Sequence, residues 1–254
     1  MPADASDTDT WEPPLKFEER LKALLPPRAR IAYLYNRNLR NGEPELHLIS
    51  VLSDKRRVSI DVGANKGVYS YALRPHSKAV HAFEPNPKLF RVLRSWAHGQ
   101  VELHPEALSN VSETADLLVP RSENGFSNQG ASLSATKVSG DHRKLAVRAV
   151  RFDDLGIRDV GFMKIDVEGF EREVLEGAAD TLRRDRPNLL IEMEEAHTKV
   201  PITDMVGTVT AYGYSCFALV RGTLTPFARL DPEKHHRSPA CREDYVFNFI
   251  FLPV

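Results

Sequence analysis

Cysteine is scarce in this sequence of 254 residues, where only Cys216 and Cys241 occur. Two thiols that far apart match neither a paired metal-ligand spacing nor the dense pattern of a disulfide scaffold, so both are expected to be free. No apolar run approaches the ~18 residues that a membrane-spanning helix needs. The first ten residues are acidic, unlike a secretory signal peptide. We therefore predict a cytoplasmic protein without a transmembrane segment.

An excess of charge of either sign is also missing. The 34 Lys and Arg residues nearly balance the 35 Asp and Glu residues, which gives a formal net charge of −1. A balanced chain has no long-range attraction for a polyanion, so no nucleic-acid partner is predicted. Hydrophobic residues make up 42% of the chain, which is enough to bury the core of one domain of ordinary size.

Three segments differ in composition. Residues 1–14 are polar, acidic and interrupted by proline, and we expect a disordered leader there. Residues 15–53 carry apolar side chains at helical spacing and form a predicted N-terminal helical extension. Its helices are predicted over 15–25, over 28–40, and from Pro44 to about residue 53. Residues 54–254 are the predicted catalytic domain.

Short apolar segments alternate with amphipathic ones in the predicted catalytic domain. This alternation is typical of βαβ units, so we predict an α/β fold with a mostly parallel, seven-stranded sheet flanked by helices. The seven predicted strands are 58–62, 79–83, 101–104, 162–167, 189–192, 214–219 and 245–252. Helices are predicted over 68–73 and 87–96. An inserted pair of strands is predicted at 115–119 and 145–150, around a long polar loop.

The first predicted strand runs directly into the turn Gly63-Ala64-Asn65-Lys66-Gly67. A strand, a glycine turn and a helix let the backbone approach a ligand closely. Gly63 and Gly67 permit a positive φ or a close approach, and Asn65 tolerates left-handed backbone. Asp61, at the strand end, can accept hydrogen bonds from the loop or meet a ligand cation. A plain structural turn would show the same pattern, so this segment alone does not establish a cofactor site.

A second acid strengthens the prediction of a nucleotide site. Glu84 ends the next predicted strand, where an acid with two oxygens can accept from both ribose hydroxyls. Dinucleotides and S-adenosylmethionine both bind at such a position. The loop lacks the Gly-x-Gly-x-x-Gly spacing of dinucleotide sites. Asp61 would also repel a pyrophosphate, whereas it suits the ammonium and sulfonium of S-adenosylmethionine.

The segments Asp61–Gly67, Phe83–Pro87 and Lys164–Phe170 together resemble the FkbM family of methyltransferases, and the resemblance extends from about Glu45 to Pro253. It implies a class I methyltransferase (Rossmann-like) fold and S-adenosylmethionine as the methyl donor. It also implies methyl transfer to oxygen, commonly to a hydroxyl of a sugar or a secondary metabolite. The resemblance assigns the methionine part of the donor to Gly63, Ala64, Asn65 and Gly67, the ribose to Glu84, and the border of the adenine to Glu106 and Ala107.

The catalytic candidates follow the fourth and fifth strands of the predicted sheet. Methyl transfer to a hydroxyl is an in-line displacement that also needs help in removing a proton. The carboxyl ends of parallel strands are the place for such groups, which points to Asp166, Glu168, Glu192 and His197. His197 is the predicted base, because imidazole titrates near neutral pH. Other interpretations stay open: a helix N-terminal charge for Glu168, a solvated edge for Glu192 and a plain surface residue for His197.

A metal is a further hypothesis. Asp166 and Glu192, with a water or a substrate oxygen, could hold Mg²⁺ or Ca²⁺ and thereby orient a diol. The pair His235-His236 with Cys241 lacks a fourth ligand, so no zinc site is predicted. The loops 121–140 and 221–242 are predicted to contribute substrate specificity, either as lids or as merely flexible segments.

The leading hypothesis is therefore an S-adenosylmethionine-dependent O-methyltransferase that acts on a small molecule or a glycan. Two other functions stay open. One is a nicotinamide-dependent oxidoreductase. The other is a non-catalytic module that docks on a partner or a membrane through the basic helix 28–40, whose arginines surround an apolar face. A homo-oligomer is compatible with the sequence in each case.

Overall fold

The structure is a computed structural model, and it describes residues 25–122, 125–126, 130–138 and 140–254. The predicted leader lies outside these residues, and so does the helix predicted over 15–25 except for its last residue. The division of the chain into leader, extension and catalytic domain stays a prediction.

Eight α-helices and twelve strands are found in the described part of the chain. The helices are α1 (Pro27–Asn41), α2 (Ile49–Leu52), α3 (Val68–Leu73), α4 (Pro87–Trp96), α5 (Glu171–Gly177), α6 (Ala179–Asp185), α7 (Glu195–Thr198) and α8 (Ile202–Thr210). The strands are β1 (Val58–Val62), β2 (Ala79–Phe83), β3 (Val101–His104), β4 (Ala107–Leu108), β5 (Glu113–Ser122), β6 (Gly125–Phe126), β7 (His142–Val150), β8 (Val160–Ile165), β9 (Asn188–Glu192), β10 (Tyr214–Val220), β11 (Thr223–Pro226) and β12 (Asn248–Pro253). Short 3₁₀ turns cover Pro44–Leu48, Arg74–His76, Phe152–Leu155, Phe227–Arg229 and Arg242–Asp244, and a π-helical turn covers Glu233–Arg237.

The main sheet has the strand order β11-β10-β12-β9-β8-β1-β2-β3. Strands β3, β2, β1, β8 and β9 are parallel, and β12 runs antiparallel to both of its neighbours. The predicted mostly parallel sheet with flanking helices is confirmed, but it has eight strands rather than seven. The additional strand β11 returns from β10 through Arg221 and Gly222, both at positive φ. It is short, polar and at the sheet edge, so it has no apolar run that reveals it in the sequence.

Some predicted boundaries need correction. Strand β8 begins and ends two residues earlier than predicted, because the chain turns at Glu168 (φ 61°) and Gly169 (φ 95°). Strand β12 begins at Asn248, three residues later than predicted. The helix predicted from Pro44 is split into a 3₁₀ turn and α2.

The inserted strands form a separate small sheet in the order β4-β7-β5-β6. Strands β5 and β7 pair antiparallel, as predicted, over a longer stretch than the sequence indicated. An apolar cluster of its own includes Leu117, Val119, Leu145 and Val147. A bridge between Leu118 and Ser132 ties the segment 130–138 to β5 of the small sheet.

Apolar layers cover both faces of the main sheet. Strand β9 shows the alternation directly: Leu189 and Ile191 face one layer and Leu190 faces the other. The layer around Leu190 also contains Ile31 of α1, so the apolar face of the N-terminal helix packs on the core. Among the described helices, none is long and apolar enough to span a bilayer.

Candidate functional site

The carboxyl ends of β1, β2, β8 and β9 border one cavity with a volume of about 260 Å³. Five acidic side chains that the sequence singled out line it: Glu84, Glu106, Asp166, Glu168 and Glu192. These residues lie far apart in the chain. The parallel sheet brings them together, because its strands all end at the same edge.

The glycine turn after β1 brings backbone directly against the cavity. Gly63 has φ 76°, and a Cβ at this position would lie 1.8 Å from the backbone oxygen of Asp166, so only glycine fits. Asn65 adopts left-handed backbone with φ 53°, as the sequence suggested. Gly67 lines neither this cavity nor its neighbour; its missing side chain leaves room for Trp96 and Leu93.

Glu84 joins two segments of the cavity wall. Its carboxylate accepts hydrogen bonds from the backbone N–H groups of Asn65 (2.7 Å) and Asn86 (2.9 Å). Burial raises the Glu84 pKa to about 7, although these two hydrogen bonds act in the opposite direction. Each carboxylate oxygen keeps a second lone pair that a ligand hydroxyl can use. The residues predicted to border the adenine, Glu106 and Ala107, line the same cavity.

Asp61 and Ala64 line a second, adjoining cavity of about 370 Å³. Asp61 is 2% exposed and accepts a hydrogen bond from Ser70 Oγ at 2.5 Å. Burial raises its pKa to about 6. At neutral pH Asp61 is still mostly ionised and can attract a cationic part of a ligand.

Lys164 is a buried cation near the carboxyl end of β8, and it was not predicted as a site residue. Its Nζ lies 3.7 Å from Asp166 Oδ2 and 3.4 Å from Asn248 Oδ1. Burial opposes the charge, but Asp166, Glu43 and Glu192 outweigh it and raise the Lys164 pKa. A charged residue inside an otherwise apolar strand was the signal that could have revealed it.

Glu43 is a second residue that the sequence analysis missed, and it lines both cavities. Tyr69 donates its hydroxyl hydrogen to Glu43 Oε2 at 2.6 Å, and Asn248 Nδ2 donates to the same oxygen at 3.0 Å. These bonds fix the N-terminal extension to α3 and β12. No local pattern marks Glu43, because its partners come from distant segments.

Glu168, Glu192 and His197 form one cluster. Glu168 and Glu192 line the first cavity, whereas His197 lies beside them without lining it. One side-chain ligand atom from each lies within 4.8 Å of the others, and His197 Nδ1 is 3.5 Å from Glu168 Oε2. Burial, followed by the charge of Asp166, raises the Glu192 pKa to about 8. Burial, followed by the charge of Lys137, lowers the His197 pKa below its usual 6.5. At neutral pH His197 is therefore a neutral acceptor of protons, while Glu192 is largely protonated.

Lys137 reaches this cluster from the inserted segment, and its Nζ forms an ion pair with Glu168. Ser132, from the same segment, is 1% exposed and donates its hydroxyl hydrogen to the backbone oxygen of Glu168 at 2.8 Å. The segment 130–138 thus contributes to the lining of the first cavity beside Glu168. A role in specificity was predicted for this loop, but neither Lys137 nor Ser132 was predicted as a site residue.

Two further acids after β9, Glu194 and Glu195, have structural partners. Glu194 accepts a hydrogen bond from the Tyr245 hydroxyl at 2.6 Å. Glu195 pairs with Arg237 and accepts from the backbone of Ile202.

The histidines of the segment 221–242 also have structural partners. His236 is buried, and its Nδ1 lies 2.7 Å from the Val246 oxygen. His235 Nδ1 lies 2.9 Å from the oxygen of Asp231.

The predicted metal ligands Asp166 and Glu192, with a water or a substrate oxygen, stay a prediction. Within the described ranges, two groups of three side chains are also close enough to hold an ion. One is the cluster of Glu168, Glu192 and His197. The other consists of His81, Glu102 and His104 on β2 and β3. Neither includes Cys241, and no zinc site was predicted there.

The profile of the family described as "Methyltransferase FkbM domain" matches residues 61–216, which is more than half of the chain. The chain belongs to the FkbM methyltransferase family. The 31-O-demethyl-FK506 methyltransferase FkbM of Streptomyces tacrolimicus is 27% identical over an alignment of 197 residues, and the match covers 63% of this chain and 74% of that protein. The crystal structure of methyltransferase FkbM from Methylobacillus flagellatus superposes with a TM-score of 0.51 at 14% identity. That comparison covers 92% of this chain, but this chain spans only 57% of the other.

Membership of the FkbM family identifies the chain as an S-adenosylmethionine-dependent methyltransferase with the class I fold. The resemblance that the sequence motifs indicated is confirmed. The family segment begins at Asp61 and ends at Cys216. It therefore contains the glycine turn, Glu84 and the acidic cluster, whereas α1 and Glu43 lie outside it.

Proposed function

We propose that this FkbM-family protein transfers the methyl group of S-adenosylmethionine to a hydroxyl of a sugar, a glycan or a secondary metabolite. The observation that carries the proposal is the placement of a neutral histidine, His197, beside Glu168 and Glu192, which line the first cavity. The name of the Streptomyces relative, a 31-O-demethyl-FK506 methyltransferase, supports oxygen as the acceptor atom.

The donor would lie along the carboxyl edge of the sheet. The adenine would border Glu106 and Ala107, and the ribose hydroxyls would bond to Glu84. The sulfonium would then lie near Asp166, which lines both cavities. Negative charge at that place stabilises a cation without needing to take part in the reaction.

The reaction is an in-line displacement. The acceptor oxygen forms a bond to the methyl carbon while the bond from that carbon to sulfur breaks, and S-adenosylhomocysteine leaves. The hydroxyl proton passes to His197, which is neutral at working pH. Glu192, largely protonated because of its raised pKa, is suited to donate a hydrogen bond rather than to remove a proton.

Binding of a divalent cation is a second hypothesis for the cluster of Glu168, Glu192 and His197. The donor atoms of Glu168, Glu192 and His197 are chemically suitable for Mg²⁺ or Ca²⁺, which would lower the pKa of an acceptor hydroxyl. The Lys137 ammonium already contacts Glu168, so a metal ion would have to compete with it. Methyl transfer measured with and without a chelator separates the two.

Donor binding is the first test. Isothermal titration with S-adenosylmethionine should give a measurable heat for the native chain. Glu84→Ala should reduce the affinity at least about 100-fold, because charged hydrogen bonds to two ribose hydroxyls are lost. Glu102→Ala removes an exposed glutamate from neighbouring β3 and should leave the affinity unchanged. Native affinity in the Glu84 variant would show that the ribose lies elsewhere.

Acceptor identity is the second test. Sugars, nucleotide sugars and polyketide-like hydroxyl compounds should be screened for methyl transfer from the labelled donor. Transfer to hydroxyl compounds supports the proposal. If amines alone accept the methyl group, oxygen is the wrong acceptor atom.

A further inference from the structure

Helix α1 forms a wall of the second cavity, which adjoins the first. Glu43, Gly63, Asn65 and Asp166 line both cavities, so a ligand can pass from one to the other along the glycine turn. From α1, Arg37 faces the second cavity. The helix precedes the segment that the family profile matches, and the sequence motifs assign it no role in binding the methyl donor.

The second cavity offers charges of both signs. Asp61 and Asp166 supply carboxylates, and Arg37, Lys66 and Lys164 supply cations. Lys164 is buried against Asp166 and Asn248, and Lys66 has an interaction of its own. In the part of the chain that the structure describes, Arg37 has neither a hydrogen bond nor an ion pair. Arg37 is therefore the cation that a ligand in this cavity can recruit.

We propose that Arg37 binds the carboxylate of the methionyl part of the donor, while Asp61 and Asp166 face its ammonium. This inference rests on the proposed function, which places the adenosine in the first cavity. The methionyl chain then continues past Gly63 into the second cavity and ends in an ammonium and a carboxylate. A guanidinium can form two parallel hydrogen bonds to a carboxylate, and the two aspartates attract the ammonium.

The arrangement makes the N-terminal extension part of the donor site. The segment matched by the family profile supplies the adenosine contacts and the acids, and α1 supplies the opposite charge. Arg37 is exposed, so replacing it should not disturb the core.

The test compares two donors that differ in one group. S-adenosylmethionine carries the carboxylate, and decarboxylated S-adenosylmethionine lacks it but keeps the ammonium. Affinities are measured by isothermal titration for the native chain, for Arg37→Met and for the control Arg40→Met. Arg40 lies in the last turn of the same helix and lines neither cavity.

Arg37→Met should weaken binding of S-adenosylmethionine about tenfold or more and leave binding of the decarboxylated donor unchanged. Arg40→Met should alter neither affinity. Arg37→Lys keeps the positive charge but lacks the planar guanidinium, so it should recover part of the lost affinity for S-adenosylmethionine.

Two results would overturn the assignment. One is native affinity of Arg37→Met for S-adenosylmethionine. The other is an equal loss for both donors, which would indicate a general disturbance of α1 rather than a lost carboxylate contact. If the native chain binds neither donor, the proposed function is itself wrong and the inference fails with it. Titration of the native chain thus distinguishes the two failures.

Discussion

Lys137 and His197 both contact Glu168, which lines the first cavity. Burial lowers the Lys137 pKa, while the acids around it, Glu192 and Asp166 first among them, favour its charged form. The charge of Lys137 in turn adds to burial in lowering the pKa of His197. In the proposed reaction His197 must be unprotonated before it accepts the hydroxyl proton. The charge of Lys137 favours that unprotonated form.

The pH dependence of methyl transfer should show this coupling. A base with a lowered pKa makes kcat/KM fall only when the pH drops below the usual 6.5 of histidine. Lys137→Met removes a positive charge, raises the His197 pKa and should shift this acidic limb to higher pH. Lys144→Met changes an exposed lysine of the same insertion and should leave the profile unchanged. An unshifted limb in the Lys137 variant would contradict the coupling.

Helix α1 is held in place by its apolar face. Ile31 is 1% exposed, and Tyr35 packs against Tyr71, whose ring in turn contacts Trp96. Two of its arginines also contact α4 or the residues just after it: Arg30 donates to Ser95, and Arg28 contacts His98. A membrane-docking helix would keep its apolar face available, so this packing favours a role of α1 within the fold.

Ile31→Ala should therefore destabilise the folded chain by about 2–4 kcal/mol, because it leaves a cavity under α1. Val51→Ala truncates a side chain that is 78% exposed and should cost less than about 0.5 kcal/mol. Urea denaturation of both variants measures the difference. Equal stability of the two variants would mean that α1 contributes little to the fold.

Across the whole molecule, acids gather at the carboxyl edge of the sheet at a cost in stability. Burial raises the pKa of Glu45, Glu84 and Glu171 to about 7 and that of Glu192 to about 8, from 4.5. The folded chain therefore holds protons that the unfolded chain has already released. Stability from such groups is complete below pH 4.5 and is lost as the pH rises through the folded-state values.

The free energy of unfolding of the ligand-free chain should accordingly fall between about pH 5 and pH 8, by on the order of a few kcal/mol. The ion pair with Arg237 lowers the Glu195 pKa to about 2. Glu195 therefore affects the free energy of unfolding only at more acidic pH. Glu171→Gln should flatten the decline, because an amide does not titrate in this range. Its oxygen can still accept the hydrogen bond from the Gly169 N–H. Urea denaturation across this pH range measures the free energy of unfolding of both chains. A rise in stability with pH would contradict the expectation.

The predictable part of the fold and the site is local in the chain. Strands β1, β2 and β3 were predicted with their observed bounds, because each is a short apolar run between polar turns. Glu84 was identified as a site residue because it directly follows a strand, and strand ends of a parallel sheet share one edge. Lys137 and Glu43 could not be found in this way. They lie in irregular segments whose position depends on packing against distant strands.

The sequence by itself determined the family, the class I fold and the glycine turn after β1, because these depend on strand periodicity and on residues close together in the chain. Only the tertiary structure decided which groups meet at the two cavities. It brought Lys137 and His197 to Glu168, and it placed Arg37 of α1 at the same cavity as Asp61. The physical reason is that charges separated by many residues interact only after folding has brought their elements together.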